Sequence, residues 1–157
     1  MKLSFFYLLI IITMFSCDRK PEKESIEPVL NPILGTWKLL TATIIEKGDT
    51  IVTDYTKKMS FIKIINDSHF AFIQHDLTKG NDSVPVFSAG AGTYVLKDSL
   101  YTEHLEYCNA REWEGHDFTF TVTITNDTLV QSGIEKIESE GINRINTEKY
   151  VRVQAKR

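Results

Sequence analysis

The stretch Asp117-Phe118-Thr119-Phe120-Thr121-Val122-Thr123-Ile124-Thr125 alternates apolar and polar side chains at each step. Successive side chains of a β-strand point to opposite faces, so its two phenylalanines, its valine and its isoleucine share one face and the threonines share the other. This period of two predicts a strand with one face in a core and the other in water. The fold is therefore expected to be built on half-buried strands.

Similar runs occur on both sides of this stretch, and turn-forming pairs separate them: Gly48-Asp49, Asn66-Asp67, Gly80-Asn81, Lys97-Asp98 and Asn126-Asp127. Such residues tolerate left-handed backbone angles, so they favour hairpins. The predicted strands are Gly35–Glu46, Ile51–Tyr55, Met59–Ile65, His69–Gln74, Gly92–Leu96, Leu100–Tyr107, Asp117–Thr125, Thr128–Gly133 and Lys149–Val153. We expect helical turns only at Asn31–Leu34 and Ile134–Gly141. The pattern predicts an all-β fold, an up-and-down antiparallel β-barrel of about eight to nine strands over residues 34–157, with a two-sheet sandwich as the alternative.

The N-terminus consists of Lys2, an apolar run over residues 3–15 and the pair Ser16-Cys17. This run is too short for a membrane span, which needs about 20 residues, and is typical of a secretory signal peptide. A small residue followed by cysteine resembles the lipobox of bacterial lipoproteins. The resemblance implies that residues 1–16 are a signal peptide and that Cys17 carries fatty-acyl chains such as palmitate. The alternative is an ordinary secreted protein in which Cys17 has this position by chance.

The segment 17–33 mixes charges of both signs with prolines at positions 21, 28 and 32. This composition predicts a flexible tether between the lipidated cysteine and the barrel. The protein is therefore expected in the cell envelope, anchored to a bacterial membrane through its N-terminal lipid. The outer membrane is the favoured location, and Asp18 after the cysteine leaves the choice of leaflet open.

Composition limits the possible partners. The chain has 18 Lys and Arg against 21 Asp and Glu, a formal net charge of −3, without the clustered basic face that nucleic-acid binding requires. If Cys17 carries lipid, Cys108 has no cysteine left to pair with. Gly90 precedes and Gly92 begins a predicted strand rather than a helix, which favours a bend or bulge over a phosphate-binding loop. We predict no bound cofactor.

A family resemblance rests on Gly35-Thr36-Trp37 at the start of the first strand, on Arg152 in the last strand, and on the segments Ala91–Tyr94 and Tyr101–Tyr107. Together they resemble lipocalin-like lipoproteins of Gram-negative bacteria. The resemblance implies structural roles for Gly35, Trp37 and Arg152, with the tryptophan closing the barrel floor and the arginine packed across its ring. It also implies an interior that binds a small apolar or amphipathic molecule.

The candidate ligand-binding residues come mainly from the strand Leu100–Tyr107. Its odd-numbered face is the more apolar, so we expect Tyr101, Glu103, Leu105 and Tyr107 to point inward. Tyr94, Phe118 and Phe120 complete the predicted ligand-binding set. A buried carboxylate is costly unless it is paired, so Glu103 needs tyrosine hydroxyls, an inward lysine or arginine, or a donor group of the ligand.

Other functions remain as alternatives, and we predict that the protein is not an enzyme. One alternative is an interaction module, in which side chains fill the barrel interior and the loop Cys108–His116 docks an envelope protein. Trp113 in this loop either covers the mouth, meets a partner or folds back on the rim. A small enzyme would use Glu103 as general base. Residues 104–116 contain two histidines, three glutamates and one cysteine, and His104, Glu106 and Cys108 are expected on one strand face. Their spacing differs from that of structural zinc sites, so no metal is predicted.

Overall fold

The computed structural model of the protein describes residues 31–81 and 83–154. The predicted signal peptide, Cys17 and most of the predicted tether lie outside these residues. In the part of the chain that is described, no helix has the length and apolar character needed to cross a membrane.

The described residues form nine β-strands in chain order: β1 Gly35–Glu46, β2 Asp49–Asp54, β3 Met59–Ile65, β4 His69–Asp76, β5 Phe87–Lys97, β6 Leu100–Cys108, β7 His116–Thr125, β8 Thr128–Ile137 and β9 Ile142–Arg152. Short 3₁₀ turns occupy Arg111–Trp113 and Glu138–Glu140. The helical turn predicted over Ile134–Gly141 is thus wrong for its first half. There β8 continues to Ile137, because β8 and β9 remain paired up to the pair of Ile137 with Ile142.

All strand pairs are antiparallel, and each strand from β3 to β8 pairs with the next one along the chain. Residues 35–38 of β1 pair with β3, while residues from Trp37 onward pair with β9 on the other side and close the barrel. The extra strand β2 pairs with the second half of β1. The predicted all-β, up-and-down antiparallel barrel is therefore confirmed, with eight strands in the closed barrel and one added strand.

The two ends of the barrel differ in their connections. At the end where β1 begins, tight turns join β3 to β4, β5 to β6 and β7 to β8. At the opposite end the chain makes longer excursions, over residues 77–86 between β4 and β5 and over residues 109–115 between β6 and β7. Antiparallel neighbours place alternate connections at opposite ends, so the longer loops surround one mouth and the tight turns form the floor.

Trp37 is fully buried at the floor, where its indole Nε1 donates a hydrogen bond of 2.8 Å to the carbonyl of Ile33. The Arg152 guanidinium lies 4.0 Å from the centre of the Trp37 ring and donates from Nη1 to the carbonyl of Leu34 at 2.6 Å. Gly35 has a φ of 132°, and a Cβ there would lie 2.8 Å from Arg152 Nη1. The structure thus brings together the three residues to which the lipocalin resemblance gave structural roles.

Ile33 was assigned to the tether, yet it is fully buried and belongs to the core. A buried indole N–H needs an acceptor, and the Ile33 carbonyl supplies it. The packed body therefore includes Ile33, one residue before the predicted start of the barrel domain.

A β-bulge interrupts the pairing of β5 with β6. Ala91 is opposite Tyr107 but Gly92 is opposite Leu105, so Glu106 is an extra residue in β6. A Cβ on Gly92 would lie 1.9 Å from a backbone oxygen of β6, so only glycine permits this close approach. The bend or bulge predicted from the two glycines is confirmed at Gly92.

The bulge reverses the inward and outward alternation in the last part of β6. Tyr101, Glu103 and Leu105 point into the barrel, on the predicted face. After the extra residue, Cys108 is buried and Tyr107 is 65% exposed on the outside. The inward orientation predicted for Tyr107 is therefore wrong, because a strict period of two holds only where no residue is inserted.

Candidate functional site

The barrel encloses a cavity of about 340 Å³ on the mouth side of the floor. This volume is at the lower end of the range of about 300–1,000 Å³ that small-molecule pockets occupy. An apolar wall is formed by Phe61, Phe72, Leu105, Trp113, Phe118 and Phe120. The polar side chains that line the cavity are Lys63, Glu103, Gln131, Glu135, Arg144, Asn146 and Glu148. The cavity is thus amphipathic.

The predicted ligand-binding residues divide into three groups. Glu103, Leu105, Phe118 and Phe120 line the cavity. Tyr101 is fully buried near the floor and does not line it. Tyr94 packs on Tyr101 with 5.2 Å between the ring centroids and donates to the backbone of the β3–β4 turn at 2.7 Å. The third group is Tyr107, which lies outside the barrel. The structure therefore gives Tyr94 and Tyr101 packing positions below the cavity.

Glu103 is paired with a lysine that the sequence analysis did not identify. Lys63 Nζ donates to Glu103 Oε1 at 2.7 Å and to Gln131 Oε1 at 3.1 Å, and the two charged side chains are only 4% and 9% exposed. The ammonium also lies 5.5–5.9 Å from the ring centroids of Phe70, Tyr101 and Tyr150. Buried charges persist when they are paired and hydrogen bonded, and both conditions hold here.

A second ion pair lies nearer the mouth, between the β8 and β9 strands. Arg144 Nε donates to Glu135 Oε2 at 2.6 Å, and Asn146 Nδ2 donates to Glu135 Oε1 at 2.8 Å. The Arg144 guanidinium lies 5.0 Å from the centre of the Trp113 ring, which packs on Phe118 at 5.5 Å. Trp113 therefore folds back on the rim of the barrel and lines the cavity.

Glu148 is the third carboxylate of the cavity. Its Oε2 accepts hydrogen bonds from Gln131 Nε2 at 2.7 Å and from the Tyr150 hydroxyl at 2.8 Å. Within the described residues, no lysine or arginine forms a salt bridge with it. Burial raises the pKa of Glu148, against the opposing effect of the nearby Lys63 charge. Glu148 also raises the pKa of the Tyr150 hydroxyl, where burial is the larger cause.

Two buried polar atoms have no hydrogen-bond partner among the described residues: the Tyr101 hydroxyl and Asn146 Oδ1. Burial, together with the Glu103 charge, raises the pKa of Tyr101 far above its ordinary value. Asn146 is 6% exposed and lines the cavity. Its amide orientation follows from Glu135, because the reverse orientation would place oxygen against a carboxylate. Leaving a buried acceptor unpaired costs about 1–3 kcal/mol.

The side chains considered as zinc ligands do not come together. Because of the bulge, Cys108 points inward while His104 lies outside and contacts Asp117 at 2.6 Å. Their expected position on one strand face is therefore wrong. In residues 31–81 and 83–154 no group of three histidine, cysteine or acidic side chains is placed to hold a metal ion. Burial raises the pKa of the Cys108 thiol, which keeps it in its less reactive form.

Comparison with known proteins gives the family but little else. No curated protein shows significant similarity to the chain. Among solved structures, the chain is similar to an uncharacterized protein from Bacteroides eggerthii DSM 20697, with 13% sequence identity and a TM-score of 0.44, over 76% of this chain and 98% of that one. The family described as "Domain of unknown function (DUF4488)" matches residues 32–157. This match covers the whole barrel, and the chain belongs to the DUF4488 family.

Proposed function

We propose that the protein binds a small amphipathic molecule inside its barrel. The observation that carries this proposal is a cavity lined both by aromatic rings and by charged, hydrogen-bonding side chains. A wholly apolar ligand would remove water from the carboxylates without replacing their hydrogen bonds, which is costly. The lipocalin resemblance of the sequence supports the same kind of function.

The cavity favours binding over the two alternatives. A barrel that serves only as a docking module needs no internal space, whereas this one holds about 340 Å³. An enzyme with Glu103 as general base needs a carboxylate free to take a substrate proton. Glu103 instead accepts a charged hydrogen bond from Lys63 at 2.7 Å. We therefore propose a binding protein without catalytic activity.

Native mass spectrometry of the protein purified gently from its own host tests this function. We expect a population whose mass exceeds that of the protein by the mass of one small molecule, and we expect denaturing conditions to release it. The denatured sample is the control that separates a bound ligand from a covalent modification. Ligand-free protein from the host, together with no binding of any amphipathic probe, would contradict the proposal.

We also propose that Cys17 anchors the barrel to a membrane of the cell envelope, on the strength of the lipobox resemblance. Cys17→Ser is expected to abolish incorporation of a palmitate analogue, because the thiol is the acceptor of the lipid. Metabolic labelling with the analogue measures its incorporation into the protein. Cys108→Ser is the matched control and should keep its label, since Cys108 is buried inside the barrel. Equal labelling of wild type and Cys17→Ser would contradict the anchor.

A further inference from the structure

We propose that the polar end of the ligand is a protonated amine, bound between Asn146 and Glu148 on the inner face of β9. This inference rests on the proposed function and names the chemical class of the ligand. It starts from Asn146, a residue that lines the cavity and whose buried Oδ1 has no donor among the described residues. A ligand that brings a hydrogen-bond donor to this position would satisfy the unpaired oxygen.

The charges of the cavity indicate that the donor is cationic. Three carboxylates line the cavity, Glu103, Glu135 and Glu148, against the two cations Lys63 and Arg144. Lys63 is paired with Glu103 at 2.7 Å, and Arg144 with Glu135 at 2.6 Å. Glu148 is left with neutral donors. A ligand with one positive charge would balance it, whereas an anionic ligand would find both cations already paired.

The geometry fits an ammonium group. Asn146 and Glu148 are two residues apart on one face of a strand, so their Cα atoms are separated by roughly 7 Å. The two hydrogen bonds that Glu148 accepts both use Oε2, so Oε1 is available to a ligand donor. An ammonium carries three donors and can bridge these two acceptors. Asn146 is flanked by Gly133 on β8 and by Ile44 on β1, and neither residue brings a polar side chain that could donate to it.

The apolar wall has room for the rest of such a molecule. Phe61 and Phe72 stack with 5.7 Å between their centroids and an interplanar angle of 9°, and both line the cavity. Phe118 and Phe120 line it from β7. An alkyl chain or an aromatic ring attached to the amine would pack against these rings. The expected ligand class is thus an amphipathic primary amine.

Three probes of equal chain length test the inference on the full protein: octylamine, octanol and octanoate. Their binding is followed by the fluorescence of Trp113, which lines the cavity, and Trp113→Phe identifies the part of the signal that comes from this residue. We expect octylamine to bind at least about tenfold more tightly than octanol, since a charged hydrogen bond is worth more than a neutral one. Octanoate should bind most weakly.

Glu148→Gln is expected to weaken octylamine binding by about tenfold or more and to leave octanol binding nearly unchanged, because the amide keeps the shape and removes the charge. Glu140→Gln is the matched control, since it removes the same charge from an exposed residue. Asn146→Leu provides a second variant that removes the unpaired acceptor. Thermal unfolding of each variant confirms that it is folded.

Each outcome distinguishes the two proposals. If octanol binds as tightly as octylamine, the amine assignment is overturned and the binding function stands. The assignment is also overturned if Glu148→Gln and Glu140→Gln have the same effect on octylamine. If none of the three probes binds and no ligand is retained from the host, the proposed function itself is overturned.

Discussion

Replacing Trp37 with alanine is expected to lower the free energy of unfolding by about 3–5 kcal/mol. The indole is fully buried, and its removal leaves a cavity at the barrel floor. The Ile33 carbonyl loses its donor, and the Arg152 guanidinium loses the ring on which it packs at 4.0 Å. Urea unfolding of the two proteins, followed by circular dichroism, measures the difference.

Trp113→Ala is the matched control because it removes the same side chain from the other end of the barrel. Trp113 is half-buried at the rim, in a short 3₁₀ turn outside the strands. It contacts Phe118 and Arg144 but closes no part of the floor. We therefore expect a clearly smaller loss than for Trp37→Ala. Equal losses in the two variants would show that Trp37 is not the main packing residue of the floor.

Strand segments with a mainly apolar inner face were predictable from the sequence, and segments with a mainly polar inner face were not. The bounds predicted for β1 and β3 agree with the structure. By contrast, β8 was predicted to end at Gly133 and β9 to begin at Lys149. The missed residues are those where the inner face carries Glu135, Arg144, Asn146 and Glu148. Alternation was present there, but it lacked the apolar face on which the prediction depended.

The orientation of β3 shows why Lys63 was not identified. One face of this strand presents Met59, Phe61, Lys63 and Ile65, and the other presents Ser60, Ile62 and Ile64. Each face carries one polar residue among apolar ones, so hydrophobicity does not clearly distinguish them, and the face with the lysine is the one that points inward. The choice is made by the ion pair with Glu103 and by the surrounding aromatic rings, which belong to distant strands. A single strand carries no signal for such a partner.

The sequence signal for the bulge in β6 lies on the neighbouring strand, β5. Nothing in the residues around Glu106 marks an insertion, so a constant alternation placed Tyr107 inside. Gly92 on β5 is the position that permits the bulge, because any side chain there would meet the backbone of β6. A glycine within a strand therefore indicated the irregularity without showing which strand holds the extra residue.

Lys63→Met is expected to lower the free energy of unfolding by about 3–5 kcal/mol, because it leaves the Glu103 carboxylate buried without its cation. Both side chains are almost fully buried, so water cannot replace the lost partner. Lys38→Met is the matched control: Lys38 lies on β1 and is exposed, and a surface change of this kind is usually worth within about 0.5 kcal/mol. Urea unfolding measures both variants.

Glu103→Gln completes the comparison and bears on a choice that the sequence left open. A glutamate that only awaits a ligand would tolerate the amide with little change in stability. The 2.7 Å pair with Lys63 predicts instead that Glu103→Gln is destabilising, because a buried ammonium then keeps only neutral acceptors. In the double variant Lys63→Met with Glu103→Gln no uncompensated charge remains. We therefore expect the double variant to lose less stability than the sum of the two single variants, since coupled residues do not act additively. Additive losses, or a Lys63→Met variant as stable as Lys38→Met, would show that the pair does not stabilise the barrel.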